Sequence, residues 1–145
     1  MKRTIISLVV FASMFVVGAV PKLQAGSMKG CSNASLQGGY GFHTGAIILP
    51  AGTPSGHLGR WVFDGTGNFT NTLTLNNNGT VIHVTDSGVY TVNTDCTGKI
   101  FILGGTGTIE IVLVDGGNEF YQLLTNPSTD QVYLFSVAKK QFPDE

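Results

Sequence analysis

Beyond residue 30 the chain runs in short stretches where apolar and polar side chains alternate, each broken after roughly eight to twelve residues by Gly, Asn, Asp or Pro. Alternation at period two is the signature of a strand with one buried face. The first such stretch, 36–48, sets Tyr40 and Phe42 on one face against Gly39, Gly41, His43 and Gly45 on the other. A second, 58–63, sets Trp61 and Phe63 opposite Arg60 and Val62. In 69–75 the row Phe69, Asn71, Leu73, Leu75 opposes a threonine ladder, Thr70, Thr72 and Thr74, that looks toward water. Further strands are expected at 80–85, 89–92, 99–103, 108–114, 119–124 and 131–138. The breaks between them have turn chemistry: the Pro/Gly-rich 50–56, Asp64-Gly65-Thr66-Gly67-Asn68, Asn78-Gly79, Asp86-Ser87-Gly88, 93–98, Gly104-Gly105, 115–118 and 126–128.

Short connections make sequential strands pair antiparallel. The predicted fold is therefore all-β, an up-and-down meander of eight or nine strands closed into a small barrel, because closure removes the exposed edges. A β-sandwich is the alternative, and it needs longer crossing connections than most of these. No window repeats apolar residues at helical spacing, which excludes the α/β nucleotide-binding architectures for want of crossover helices.

The alternation fails in the later strands. Ile100 lies beside Phe101, Ile111 beside Val112, Tyr121 and Leu123 flank the buried row, and Tyr133 adjoins Leu134. A closed barrel buries only its inner face, so these strands call for a cover on the outside. Three covers are open: the chain's own N-terminal segment, the Pro-rich loop, or a second copy of the chain forming a homo-oligomer through its C-terminal strands.

The N-terminus changes the reading of composition. Lys2 and Arg3 precede an apolar run from Ile5 to Val20, and Leu23-Gln24-Ala25 offers a small-residue cleavage site before Gly26. This is the pattern of a secretory signal peptide, 1–25, followed by one domain, 26–145. A membrane anchor is the rival, and Gly18, Pro21 and Lys22 cut the run short for one. Cleavage leaves five basic residues, Lys29, Arg60, Lys99, Lys139 and Lys140, against nine acidic ones, a net charge of about −4. That balance argues against nucleic acid and anionic membrane as partners. An exported chain is expected periplasmic or extracellular, where the two cysteines, Cys31 and Cys96, would form one disulfide. Cys31 as a lipid-attachment site is the competing reading, and Met28-Lys29-Gly30 before it is a poor match.

Candidate chemistry is sparse. His43, His57 and His83 are too scattered for a metal motif, and two cysteines add too few ligands for zinc, so neither metal nor cofactor is expected. Glu110, inside an apolar strand, is a candidate acid or base, though its face opposes the stronger row Ile109, Ile111 and Leu113. His43 is the other weak catalytic candidate. Asp64, Asp95 and Asp115 precede turn residues and should bond their own loops. Ser35 and Ser136 lack a nucleophile-elbow context. No helix follows Gly104-Gly105-Thr106-Gly107 to make a phosphate loop. The aromatics say more: Tyr40, Phe42, Trp61, Phe63, Phe69 and Tyr90 all fall on the expected inner faces. Small barrels either fill with side chains or hold one small ligand, and Tyr40, Phe42, Trp61, Phe63 and Tyr90 are the candidate ligand-binding set.

Three segments, 31–42 with its Cys-Ser-x-Ala-Ser-Leu-x-Gly-x-Tyr-x-Phe pattern, Phe63-Asp64-Gly65-Thr66-Gly67-Asn68, and 90–98 with Tyr-Thr-Val-Asn-x-Asp-Cys-Thr-Gly, resemble recurrent signatures of small exported bacterial β-barrel proteins that carry no assigned activity. The resemblance spans nearly the whole domain and implies export and a β-meander. At fold level alone the pattern is similar to calycin and allene-oxide-cyclase-type barrels. The leading expectation is a secreted, non-enzymatic module holding a small apolar ligand in the barrel mouth. The alternatives are a barrel cyclase or isomerase acting on a small hydrophobic substrate, with Glu110 or His43 as its polar group, and a structural role at the cell envelope. A titratable side chain pointing into a cavity is what separates binder from enzyme.

Overall fold

The computed structural model describes residues 30–104, 107–125, 131–133 and 135–142; the proposed signal peptide lies outside them. The strands are β1 (Gln37–Ile48), β2 (Thr53–Asp64), β3 (Asn68–Asn77), β4 (Thr80–Val92), β5 (Thr97–Ile102), β6 (Thr108–Val114), β7 (Glu119–Leu124), β8 (Gln131–Tyr133) and β9 (Ser136–Lys140). All pairings are antiparallel, sequential from β1 to β7. β9 then joins β7 to β1 and closes the barrel. β8 continues β9 along β1. Phe42 pairs with Ala138 and Ala46 with Tyr133, so five steps along the last strand match four along β1. One extra residue there splits what the alternation predicts as a single strand, 131–138, into two.

One expected turn is absent and another is shorter than expected. Asp86-Ser87-Gly88 continues β4, so the segments 80–85 and 89–92 are one strand of the barrel wall. The reason is local packing: a Cβ on Gly88 would sit 2.0 Å from the Phe101 carbonyl oxygen and 2.8 Å from the Phe69 ring. The glycine marks a close approach of ring to backbone, not a change of chain direction. Likewise the Pro-rich segment is mostly strand, since β2 begins at Thr53 and Ile47 pairs with Pro54.

The two ends of the barrel differ. At one end the inner face is filled by aromatic rings around Phe63, whose centroid lies 4.9 Å from Tyr90, 5.6 Å from Tyr40 and 5.8 Å from Phe120. A 3₁₀ turn, Asn33–Ser35, closes this end. The Tyr90 hydroxyl donates toward the Asn33 and Leu36 carbonyls at 2.9 Å, and Val92 N–H donates to Asn33 Oδ1 at 2.8 Å. Tyr40 Oη donates to the Gly117 carbonyl at 2.6 Å. Burial, then the Asp64 charge, push the Tyr90 hydroxyl up to about 12. Cys31 and Cys96 form a disulfide with Cα atoms 4.9 Å apart, pinning the turn to the start of β5. Closing a loop of 65 residues contributes about 4 kcal/mol in the chain-entropy account.

Two of the three expected aspartates, Asp64 and Asp95, bond their own turns, whereas the Asp115 turn is bonded through its backbone, Asn118 N–H donating to the Asp115 carbonyl at 3.1 Å. Asp64 Oδ1 accepts from the N–H groups of Thr66, Gly67 and Asn68 at 2.7, 3.0 and 3.0 Å, and Oδ2 from Thr66 Oγ1 and Asn68 Nδ2 at 2.6 and 2.7 Å. These donors hold its carboxyl well below the usual range. Asp95 accepts from Thr97 in the same manner.

Candidate functional site: a half-hollow barrel

Two residues further along each strand, the inner row changes character. Phe69 gives way to Asn71, Gly88 to Asp86, Phe120 to Gln122 and Ala138 to Ser136, while the aliphatic pairs Ile100 to Ile102 and Ile111 to Ile109 persist. Amides replace two of the rings, and the barrel is no longer filled. A cavity of about 110 Å³ opens there, lined by Phe42, Thr44, His57, Trp61, Asn71, Leu73, Asp86, Ile102, Ile109, Gln122, Leu124 and Ser136. Its size is of the order of the engineered apolar cavity, about 150 Å³, that accepts benzene.

Phe42 and Trp61 form the floor, stacked with centroids 5.3 Å apart and planes at 23°. Gly59, paired with Phe42, makes this possible, since a Cβ there would meet the Phe42 ring at 2.7 Å. Trp61 Nε1–H donates to Gln122 Oε1 at 3.2 Å, and Gln122 Nε2 donates to Ser136 Oγ at 2.6 Å. Both ends of the Gln122 amide are thereby engaged, which fixes the indole. On β2, the strand of Trp61, Ser55 Oγ donates to Asn77 Oδ1 and lies 2.9 Å from His57 Nε2. A serine hydroxyl has one proton, so His57 must supply the second bond from Nε2–H. His57 is 5 % exposed, and burial holds its pKa below the ordinary 6.5. Asn71 is 2 % exposed, and its Oδ1 has no hydrogen-bond partner.

Of the five aromatics expected to bind a ligand, Phe42 and Trp61 line the cavity. Tyr40, Phe63 and Tyr90 lie in the packed end, their rings against one another and both hydroxyls bonded to backbone carbonyls. Glu110 and His43 face outward. Glu110 pairs with Lys99 at 2.9 Å on the outer surface, and His43 is exposed. His83 is also outside, 3.0 Å from Thr74 Oγ1. The titratable groups that do face the cavity are His57 and Asp86. Asp86 is hidden from sequence reading by Gly88, which makes 86–88 look like a turn. Asn71 is visible as a polar interruption of an apolar row. Gln122 and Ser136 carry no comparable signal.

The outer faces of β5 to β7 keep Phe101, Val112, Tyr121 and Leu123 between 38 and 46 % exposed. The Pro-rich segment does not cover them, being folded into the β1–β2 hairpin. Among the described residues no three His, Cys, Asp or Glu side chains come together as a metal would require. Comparison with protein-family models, curated proteins and solved structures found no match.

Proposed function

We propose that this protein is an exported, non-enzymatic barrel that holds one small, mainly apolar molecule at its open end. The observation that carries the reading is the change from filled to hollow halfway along the inner face. A barrel selected only for stability would continue the ring packing of its closed end, because unfilled apolar volume is destabilising. The disulfide supports an oxidising compartment. Among the described residues no helix is long and apolar enough to cross a membrane.

Catalysis by a cyclase or isomerase is the second reading, favoured by His57 and Asp86 at the cavity wall. It ranks lower on chemistry. Burial disfavours the imidazolium of His57, Ser55 already engages its ring, and no hydrogen bond joins Asp86 to another titratable group among the described residues. Self-association through the outer face of β5 to β7 is a separate proposal, supported by its half-exposed Phe101, Val112, Tyr121 and Leu123.

Native mass spectrometry of the protein from its own host tests these readings together. The expected spectrum carries a retained small molecule, lost when Ile109→Phe fills the cavity. A wild-type spectrum of bare chain contradicts the binding reading, and a bare monomer at every concentration contradicts self-association.

A further inference from the structure

The chemistry of the cavity wall says what that molecule carries. Asn71 and Asp86 occupy directly paired positions of β3 and β4, and both line the cavity. Cross-strand geometry sets their Cβ atoms about 5 Å apart. Asn71 Oδ1 is a buried acceptor with no donor. Native structures keep few such atoms, so this one calls for a donor.

Asp86 adds a half-buried negative charge beside it. Among the described residues no Lys or Arg lines the cavity, and the ion pairs, Lys99–Glu110 and Lys139–Glu119, lie on the outer surface. Burial disfavours the imidazolium of His57, the basic side chain among the described lining residues. The wall thus presents two adjacent acceptors, one of them charged, with no Lys or Arg among the described lining residues to neutralise that charge. The floor is the stacked Phe42–Trp61 pair, and aromatic faces attract cations.

We propose that the cavity takes a small organic ammonium, a primary amine on a short apolar or aromatic body, with its N–H groups donating to Asn71 Oδ1 and the Asp86 carboxylate. The proposal rests on the binding reading above and narrows it. An ammonium has three donors and no acceptor, which matches a wall of acceptors. An alcohol could satisfy Asn71 yet would leave the Asp86 charge uncompensated. A carboxylate would meet like charge. The body then lies among Leu73, Ile102 and Ile109.

Benzylamine, benzyl alcohol and benzoate share one ring and one length and differ in charge, so they separate these possibilities. Each is titrated into the intact, disulfide-bonded chain near neutral pH, following the fluorescence of Trp61, its single tryptophan. Benzylamine is expected to bind at least about tenfold tighter than benzyl alcohol, with benzoate weakest. Asp86→Asn removes that advantage while benzyl alcohol stays within about threefold. Asn71→Leu weakens both donors about tenfold. The wild-type ranking needs no variant, so a misfolded mutant does not rescue the idea. Equal binding of the three, or an advantage that survives in Asp86→Asn, overturns the ammonium and leaves the pocket standing. Silence from all three removes the pocket and the ammonium together.

Discussion

Asp64 and Asp86 show how differently two aspartates can read in one sequence. Asp64 stands before Gly-Thr-Gly-Asn, a run rich in donors that can turn toward a carboxylate, and its five hydrogen bonds follow from that spacing. Asp86 also precedes a glycine within two residues, but Gly88 serves the Phe69 ring and the strand runs on. Local sequence cannot distinguish a glycine needed for a turn from one needed for a long-range contact. His57 carries a titration consequence. Its folded-state pKa lies below the ordinary 6.5, so the unfolded chain takes up the proton first. The stability it contributes is complete above about pH 6.5 and falls as pH drops through that value toward the folded pKa. We expect the melting temperature of the wild type to decrease between about pH 7.5 and pH 5.5, and His57→Gln to flatten that decrease. An unchanged slope in the variant assigns it elsewhere.

At the level of elements, most strands were legible because the core side chains fall strictly at alternate positions: Tyr40 with Phe42, Trp61 with Phe63, Ile109 with Ile111. The errors sit where glycine, proline or an extra residue interrupts a strand that tertiary pairing sustains. β4 is the main instance. Its continuity carries Asp86 into the wall, and Gly88 is what permits it. Gly88→Ala is expected to cost about 2 kcal/mol or more, since the new methyl must displace the Phe101 carbonyl or the Phe69 ring. Gly79→Ala, at the β3–β4 hairpin, provides contrast: nothing lies within 4 Å of its Cβ position, and only its positive φ of 92° resists the change. Urea unfolding of the two variants checks the ranking, and a milder effect for Gly88→Ala would mean that β4 bends there more easily than its packing indicates. β8 and β9 illustrate the converse, one predicted strand divided by a one-residue slip in register along β1.

On the scale of the whole molecule, the closed end and the open end do different work. The closed end gathers the disulfide, the Asn33–Ser35 turn, the Asp64 and Asp95 turns and a cluster of rings, and it carries most of the specified structure. These features include the signature segments 31–42, 63–68 and 90–98, so those signatures describe how the barrel is closed and not what it holds. The open end keeps the same strands but lines them with Asn71, Asp86, Gln122 and Ser136 around aliphatic side chains. Barrel closure was readable from turn spacing; hollowness was not, because it depends on which inner positions share a level after the strands tilt. The central claim is that the barrel is filled at one end and accessible at the other. Carbon-13 methyl spectra recorded under xenon pressure test it without presuming any ligand class, since xenon is apolar and settles against the aliphatic part of an accessible cavity. The methyls of Leu73, Ile102, Ile109 and Leu124 should shift with pressure, while those of Leu36, Ile100 and Ile111 stay fixed; shifts at both ends alike, or at neither, would contradict the account.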